Sequence, residues 1–282
     1  MKLAQIFKDF EEKLIAQGEE AESLSFVYRS LKNLSFTNFV FALQQEVTEE
    51  DKHFVEEIYT KLVAHIPAQY IIGHAEFFGM QLKVDERVLI PRPETEELVE
   101  LILAENPNGN PNGNLKVLDI GTGSGAIALS LAKNRADWSV TAADISQDAL
   151  DLASENAKSL DLEITFIKSD CFSEISSKYD IIVSNPPYIS RVDEAEVGLN
   201  VLYSEPHLAL FADEDGLAIY RRIAEESKDY LNDGGKIYLE IGYKQGQSVP
   251  ELFRENLPEK QVRTLKDQFG QDRMVVVDDG EN

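Results

Sequence analysis

Two adjacent prolines, flanked by an asparagine and a tyrosine, follow a short apolar run in the second half of the chain. The run is 179–183, and the segment after it is Ser184-Asn185-Pro186-Pro187-Tyr188. Proline has no backbone N–H and fixes φ, so this segment must leave a sheet as a stiff, extended piece with unpaired carbonyl groups. Asn185 adds a side-chain carbonyl and Tyr188 a flat aromatic face. Two rigid acceptors suit an NH2 group, which predicts a site for a planar amino or amide nitrogen; a simple strand-ending turn is the alternative.

A glycine-rich segment lies upstream, after another apolar run. It reads Asp119-Ile120-Gly121-Thr122-Gly123-Ser124-Gly125 and precedes a predicted helix. Glycines let the backbone turn sharply and approach a ligand closely, and the helix N-terminus behind them offers unpaired N–H groups. The Gly-x-Gly-x-Gly spacing differs from the Gly-x-Gly-x-x-Gly of dinucleotide sites, which argues against a pyrophosphate ligand.

Two acidic residues stand at the ends of the next two predicted strands. Asp144 ends the second strand, where a carboxylate can accept hydrogen bonds from both ribose hydroxyls; N-capping of the following helix is the alternative. Asp170 follows the third strand, at the height expected for an adenine ring, with Cys171 beside it. It either accepts from an exocyclic amine or is only a turn residue. A nucleoside site beside an amide site suits methyl transfer from S-adenosylmethionine to a nitrogen.

The elements that must position these residues alternate between strand and helix from residue 116 onwards. Strands are predicted at 117–120, 140–144, 164–168, 180–183, 236–241, 262–267 and 273–277. Helices are predicted at 126–133, 147–160, 217–231 and 248–256. This alternation predicts an α/β fold, a parallel sheet covered by helices on both faces, with an antiparallel hairpin at its edge. Ligands of such sheets bind outside the carboxyl ends of the strands, at the switch point.

The chain before this region has a different pattern. Apolar residues at helical spacing predict helices from Leu3 to about Gly18 and over 23–34, 37–46 and 48–65, with Thr48 as an N-cap. Two short strands are predicted in 69–73 and 76–84, turning near Gly79. The predicted domains are a helical bundle for partner recognition (1–68), a linking β-hairpin (69–92) and a catalytic domain (93–282). The Asn-Pro-Asn-Gly repeat in 106–114 predicts a flexible surface loop.

Composition narrows the class of partner. The 282 residues include 27 Lys and Arg against 51 Asp and Glu, a net charge of -24. Nucleic acids are bound through Lys and Arg, so this balance disfavours DNA or RNA as the main substrate, although solubility accounts for most of the charge. One cysteine and four scattered histidines predict neither a disulfide nor a metal site. No apolar run reaches membrane-spanning length and the start continues into an amphipathic helix, so we expect a soluble, cytoplasmic protein.

Together these features resemble the bacterial release-factor glutamine N5-methyltransferases. The resemblance covers almost the whole chain. It rests on the domain order, the Asp119 to Gly125 turn, Asn185 to Tyr188, the segment Ile90-Pro91-Arg92-Pro93-Glu94-Thr95-Glu96, and Glu205-Pro206 with Ala209-Leu210. It implies a Rossmann-like class I methyltransferase domain that uses S-adenosylmethionine and releases S-adenosylhomocysteine. Its substrates would be the peptide chain release factors of translation termination, and we expect a monomer.

The resemblance also implies roles for individual residues. The cofactor would be held by Gly121, Thr122, Gly123, Ser124, Gly125 and Asp144, with Asp170 and Cys171 flanking its adenine and Asn185 beside it. The substrate glutamine would be bound by Asn185, Pro186, Pro187 and Tyr188, with the Arg92 to Glu96 segment against the active site and Arg92 and Glu94 among the substrate-binding residues. Two features depart from the family pattern. Ala212-Asp213-Glu214 stands where glycines are usual, which leaves the loop after Tyr188 open, and 106–114 is a local expansion.

In this interpretation, Asn185 Oδ1 and the Pro186 carbonyl accept the two N–H bonds of the amide, and Tyr188 packs on its plane. Alignment supplies most of the catalysis, and no general base is assigned. Three alternatives stay open. A nucleic-acid amino-methyltransferase acting on adenine N6 or guanine N2 is disfavoured by charge. A nicotinamide-dependent oxidoreductase is disfavoured by the glycine spacing and by the lack of a catalytic His or Tyr-Lys pair. A non-catalytic binding module is disfavoured because both motifs are present.

Overall fold

The computed structural model describes residues 1–107 and 114–280. Most of the predicted Asn-Pro-Asn-Gly loop, residues 108–113, lies outside the described residues. The chain divides into two compact units, the first comprising Met1–His74 and Val197–Glu205 and the second Ala75–Glu196 and Pro206–Asn282. Residues 197–205 thus belong to the helical unit, although the sequence-based ranges assign them to the catalytic domain; those ranges remain a prediction.

Helices and strands follow the predicted order, with short helices added between β6 and β7. The helices are α1 (Leu3–Ala16), α2 (Glu22–Leu31), α3 (Phe36–Leu43), α4 (Glu49–Val63), α5 (Ala68–Ile72), α6 (Pro93–Glu105), α7 (Ala126–Asn134), α8 (Gln147–Ser159), α9 (Leu199–Ser204), α10 (His207–Leu210), the single turn α11 (Asp213–Gly216), α12 (Ala218–Glu226) and α13 (Ser248–Asn256). The strands are β1 (His74–Phe77), β2 (Met80–Lys83), β3 (Lys116–Ile120), β4 (Ser139–Asp144), β5 (Thr165–Lys168), β6 (Tyr179–Ser184), β7 (Leu231–Glu240), β8 (Gln261–Lys266) and β9 (Asp272–Asp278).

The first unit packs α1 to α5 around its own apolar core, and α9 belongs to the same unit. Leu14, Leu24 and Val55 are fully buried on the inward stripes of their helices. Thr48 is the N-cap of α4, as predicted, and its hydroxyl accepts a 3.0 Å hydrogen bond from the Asp51 backbone N–H. The sequence-predicted helices of this part of the chain are therefore present.

The segment around Gln69–Gly73 corrects one prediction. It is not a strand, because residues 68–72 form the short helix α5. Its β-branched residues favour a strand locally, but Gly73 adopts φ 81 and its N–H caps the Gln69 carbonyl at 2.8 Å, which is how a helix ends. The hairpin itself forms later, from β1 and β2, with Gly79 in its turn at φ 67.

The second unit is built on a seven-stranded sheet in the order β5-β4-β3-β6-β7-β9-β8. Strands β5, β4, β3, β6 and β7 are parallel, and β9 runs antiparallel to both of its neighbours. The predicted parallel sheet with an antiparallel edge hairpin is confirmed. Within this hairpin, β9 lies between β7 and β8, and β8 is the edge strand. Strand order reverses between β3 and β6, so the switch point lies at the carboxyl ends of these two strands.

Residues alternate between two buried cores on the faces of this sheet. Along β3, Val117 belongs to the core under α6 and α7, whereas the next residue, Leu118, belongs to the core under α12 and α13. Burial on both faces explains why these strands read as continuous apolar runs. No helix in the described parts of the chain is long and apolar enough to cross a membrane.

Candidate active site

A cavity of about 190 Å³ lies at the carboxyl ends of β3, β4, β5 and β6. Its lining includes eight residues singled out from the sequence: Gly121, Gly123, Asp144, Asp170, Cys171, Asn185, Pro186 and Pro187. The switch point therefore brings the glycine turn, both acidic residues and the proline segment to one crevice. Arg87, Val88, Leu89, Pro206 and Leu208 are among the other lining residues and were not predicted as site residues.

The glycine turn is shaped by three left-handed glycines. Gly121, Gly123 and Gly125 have φ of 72, 55 and 84, values that other residues adopt at a cost. Gly121 and Gly123 face the cavity, and a Cβ added to either would meet nothing within 4 Å. Gly125 faces inward, where a Cβ would lie 3.0 Å from a Leu129 methyl. The turn thus presents bare backbone to the crevice.

Asp144 is fixed between two loops. Its Oδ2 accepts a 2.9 Å hydrogen bond from the Gly123 N–H, and its Oδ1 accepts one of 2.9 Å from the Ser146 N–H. Burial raises the pKa of the carboxyl, and these backbone donors oppose that shift. The N-cap of α8 is Ser146, whose hydroxyl accepts from the Ala149 N–H at 3.2 Å. N-capping by Asp144, the alternative kept open above, is therefore wrong.

Asp119, the first residue of the glycine segment, is fully buried behind the turn. Its Oδ2 accepts from the Thr122 hydroxyl at 2.7 Å and from the Ala128 N–H at 3.3 Å, so it ties the turn to α7. Burial raises the pKa of Asp119 to about 7, against the effect of these two donors. Thr122 and Ser124 are also buried and support the turn without lining the cavity.

Asp170 and Cys171 line the cavity after the end of β5. Asp170 is exposed and forms an ion pair with Arg222, whose Nη1 lies 2.5 Å from Oδ1. Cys171 has a left-handed backbone, with φ 50, and its side chain is buried. Burial raises the pKa of its thiol to about 11, so the sulfur is protonated at neutral pH and is a poor nucleophile.

Asn185 begins the proline segment and its side chain reaches the first turn of α6. Its Nδ2 donates to the Thr95 hydroxyl at 3.1 Å, and the Thr95 hydroxyl donates to Glu240 Oε2 at 2.6 Å. Thr95 and Glu240 are 4% and 2% exposed, so the chain of hydrogen bonds runs inward from the crevice. No hydrogen bond to Asn185 Oδ1 is formed by the residues that the structure describes.

Tyr188 does not line the cavity. Its ring lies against Gly242, where an added Cβ would come within 3.1 Å of Cδ2, and its backbone carbonyl accepts from Gln245 Nε2 at 3.2 Å. Burial, followed by the charge of Glu240, raises the pKa of its hydroxyl to about 12. Arg92 and Glu94 also lie outside the cavity lining, and their charges act on the same hydroxyl.

Four residues that hold the site together were not named individually as site residues, although Thr95 and Glu96 belong to the Arg92 to Glu96 segment that the resemblance places against the active site. Thr95 accepts from Asn185 and donates to Glu240, Gln245 holds the Tyr188 loop, and Glu96 accepts a 2.7 Å hydrogen bond from the Phe78 N–H in the hairpin turn. Glu240 carried a usable signal, because it is an acid at the end of the apolar run 237–239. Spacing alone gave no reason to rank Thr95 above its neighbours.

The loop after Tyr188, where the sequence departs from the family pattern, contains two residues with left-handed backbone. Glu214 and Asp215, near the place where the resemblance implied glycines, both have φ 54. Such left-handed backbone is natural for glycine and costly for a carboxylate side chain. The loop thus has left-handed backbone at two residues that are not glycines, and Glu214 forms an ion pair of 2.6 Å with Arg221.

Family models match both the N-terminal helices and the region of the seven-stranded sheet. The family model described as Methyltransferase small domain matches residues 100–271, and that described as PrmC N-terminal domain matches residues 5–73. A crystal structure of a methyltransferase from Pyrococcus furiosus shares the fold, with a TM-score of 0.54 and 19% identity over 81% of this chain and 98% of the other. Fold and matched domain define a methyltransferase with the Rossmann-like fold of the S-adenosylmethionine-dependent enzymes.

Relatives that match over nearly their whole length identify the family within this class of methyltransferases. The release factor glutamine methyltransferase of Streptococcus pneumoniae is 81% identical over 283 residues, covering 100% of both chains. That of Lactococcus lactis is 50% identical over 94% of this chain and 96% of its own. This chain belongs to the release factor glutamine methyltransferase family.

Proposed function

We propose that this protein transfers a methyl group from S-adenosylmethionine to the side-chain amide nitrogen, N5, of a glutamine in peptide chain release factors. The observation that carries the proposal is the crevice, where an asparagine amide and two prolines face a glycine turn and a fixed carboxylate. Family membership supports the same activity.

The residues present fit the cofactor. Gly121 and Gly123 leave open space where side chains would otherwise stand, and the Asp144 carboxylate is an acceptor suited to ribose hydroxyls. Asp170 and Cys171 would flank the adenine, and Thr122, Ser124 and Gly125 would support the turn. When bound, the cofactor supplies a methyl group on positively charged sulfur; transfer forms a nitrogen–carbon bond, leaves the broken bond's electron pair on sulfur, and releases one amide proton.

The protein's own contribution is alignment of the glutamine. Asn185 Oδ1 and the Pro186 carbonyl would accept the two N–H bonds of the amide and so fix the direction in which its nitrogen faces. Pro187 keeps this segment rigid because it cannot donate to a neighbouring strand. Tyr188 would border the amide plane, with Arg92 and Glu94 beside it. No residue is assigned to take the released proton.

Four further properties remain predictions made from the sequence. They are recognition of the release factor by the N-terminal helices, the domain ranges, a monomeric state and a cytoplasmic location. The interpretation as a nucleic-acid amino-methyltransferase gains no support from the family relationship, since the relatives found are release factor glutamine methyltransferases.

The test is direct. The purified protein is incubated with S-adenosylmethionine and a bacterial release factor, and the digested release factor is examined by mass spectrometry. We expect one added methyl group on a single glutamine. Parallel incubations with RNA and DNA use a labelled methyl donor. Label in nucleic acid and none in the release factor would overturn the proposal.

A further inference from the structure

Three side chains from separate elements meet beneath the proline segment. Register pairs Ser184 of β6 with Leu239 of β7, so the residues that follow, Asn185 and Glu240, are level with each other. Thr95 comes from the first turn of α6 and lies between them, 3.1 Å from Asn185 Nδ2 and 2.6 Å from Glu240 Oε2. The link from Asn185 to Glu240 therefore runs through the Thr95 hydroxyl.

We propose that Thr95 and Glu240 are positioning residues that determine which end of the Asn185 amide faces the crevice. The inference deepens the proposed function and rests on it, because an acceptor at that position matters only if the substrate presents an NH2 group. Neither residue lines the cavity, so both act through Asn185.

The orientation follows from counting donors and acceptors. An ionised carboxylate only accepts hydrogen bonds, and a threonine hydroxyl has one proton to donate. The Thr95 hydroxyl donates its hydrogen bond to Glu240, so its oxygen can only accept a hydrogen bond from Asn185. Asn185 must then turn its NH2 inward, toward Thr95 and Glu240, which leaves its carbonyl oxygen for the crevice. A reversed amide would lose its hydrogen bond to Thr95 in a buried site, which is costly.

The charge of Glu240 is therefore the origin of the arrangement. Around it lie Thr95 and Glu94 of α6, Asn185, Arg273 of β9, and the Tyr188 and Tyr220 hydroxyls, with Tyr220 donating to the Glu240 backbone carbonyl at 2.7 Å. Burial raises the pKa of Glu240 to about 7; Thr95, Arg273 and Asn185 oppose this, and Glu94 adds to it. Protonated Glu240 can itself donate, and the inward preference for NH2 is then lost.

Kinetics of matched variants test this role. With saturating cofactor, Thr95→Val should lower kcat roughly 10- to 100-fold, the scale of misplaced reacting groups. Thr95→Ser, which keeps the hydroxyl, should recover most of that loss. Glu240→Gln can offer NH2 to Thr95 and reverse the chain of donors, so kcat should fall by a similar factor. Thr141→Val, which removes a buried hydroxyl from the middle of β4, is the control and should match the wild type.

The pH profile separates positioning from general support of the fold. In the wild type, kcat should rise as pH increases through about 7, because Glu240 ionises, and then level off. Glu240→Gln should abolish this step. A Thr95→Val enzyme with wild-type kcat, or a Glu240→Gln enzyme that retains the step, would overturn the inference.

A measurement without substrate distinguishes failure of this inference from failure of the proposed function. The Asn185 side-chain NH2 is observed by NMR in asparagine-labelled protein and assigned by its loss in Asn185→Ala. We expect its signals to move with a midpoint near pH 7 in the wild type, to be static in Glu240→Gln, and to shift in Thr95→Val. Signals indifferent to pH and to Thr95→Val would contradict the inference even in an active enzyme. An inactive wild type with the expected shifts would contradict only the proposed function.

Discussion

The Asp144 carboxylate and the Gly123 backbone N–H are joined by a hydrogen bond of 2.9 Å. This bond connects the end of β4 to the glycine turn after β3. The second oxygen of Asp144 is held by the Ser146 N–H, so the carboxylate cannot rotate freely. A ligand at the turn therefore meets an acceptor whose direction is set before binding, which reduces the entropy lost when the ligand is ordered.

Asp144→Asn should weaken binding of S-adenosylhomocysteine by roughly 10- to 100-fold, because one acceptor is replaced by a donor facing backbone N–H groups. Isothermal titration calorimetry measures the change. Asp148→Asn, an exposed change in the first turn of α8, is the matched control and should bind like the wild type. Equal affinity in Asp144→Asn and the control would remove Asp144 from the cofactor site.

Asp119→Asn should change how stability depends on pH. The pKa of Asp119 is about 7 in the folded protein and near 4 in an unfolded chain. The folded state binds the Asp119 proton more tightly than the unfolded chain does. The resulting contribution to the free energy of unfolding is fully present below about pH 4 and is lost as pH rises through 7. The free energy of unfolding of Asp119→Asn, relative to the wild type, should rise over this range by on the order of 4 kcal/mol at most.

Urea unfolding at several pH values measures that difference. Glu240 titrates in the same direction, but it is present in both proteins and cancels in the comparison. A difference that stays constant between about pH 4 and pH 8 would show that burial does not raise the pKa of Asp119.

Much of the fold followed from the sequence because local patterns and tertiary structure agree. Alternating strands and helices, the glycine turn and the capping residue Thr48 each signal the structure they form. The short helix α5 was missed because its β-branched residues favour a strand locally, while the left-handed Gly73 ends a helix. Nor could spacing place α9 with the N-terminal helices, where Ser204 donates to the His65 carbonyl at 2.8 Å, because that contact joins residues far apart in the chain.

Prediction of the candidate site was limited in the same way, by contacts between residues far apart in the chain. Strand ends bring Gly121, Asp144 and Asn185 together by topology alone, so the sequence could predict their meeting. The contact between Thr95 and Glu240 joins a helix start to a strand end 145 residues later, and it depends on how α6 packs on β7. Tyr188 at the substrate amide stays a prediction, and the position of its ring against Gly242 could not be read from the sequence because it depends on packing of the loop after the prolines.

Gly216→Ala should disturb the loop that contains Tyr188. A Cβ at Gly216 would lie 2.1 Å from the Tyr188 carbonyl oxygen, and its φ of 83 disfavours other residues. We expect a loss of roughly 2 to 4 kcal/mol in the free energy of unfolding and a lower kcat, from overpacking and backbone strain together.

Gly18→Ala provides the matched control, because Gly18 has the same φ of 83 but nothing within 4 Å of an added Cβ. It should cost only about 1 kcal/mol or slightly more, through backbone strain alone. Thermal or urea unfolding compares the two variants. Equal losses would mean that the contact with Tyr188 is relieved without cost.

The account rests on Asn185 as the acceptor that orients the substrate amide, and Asn185→Ala tests this most directly. Methyl transfer to the release factor is measured by mass spectrometry, and the affinity for S-adenosylhomocysteine is measured by calorimetry on the same preparation. We predict that transfer falls by roughly 100-fold or more while cofactor affinity changes less than about threefold. Transfer at the wild-type rate would contradict the account, and so would a loss of transfer explained entirely by lost cofactor binding.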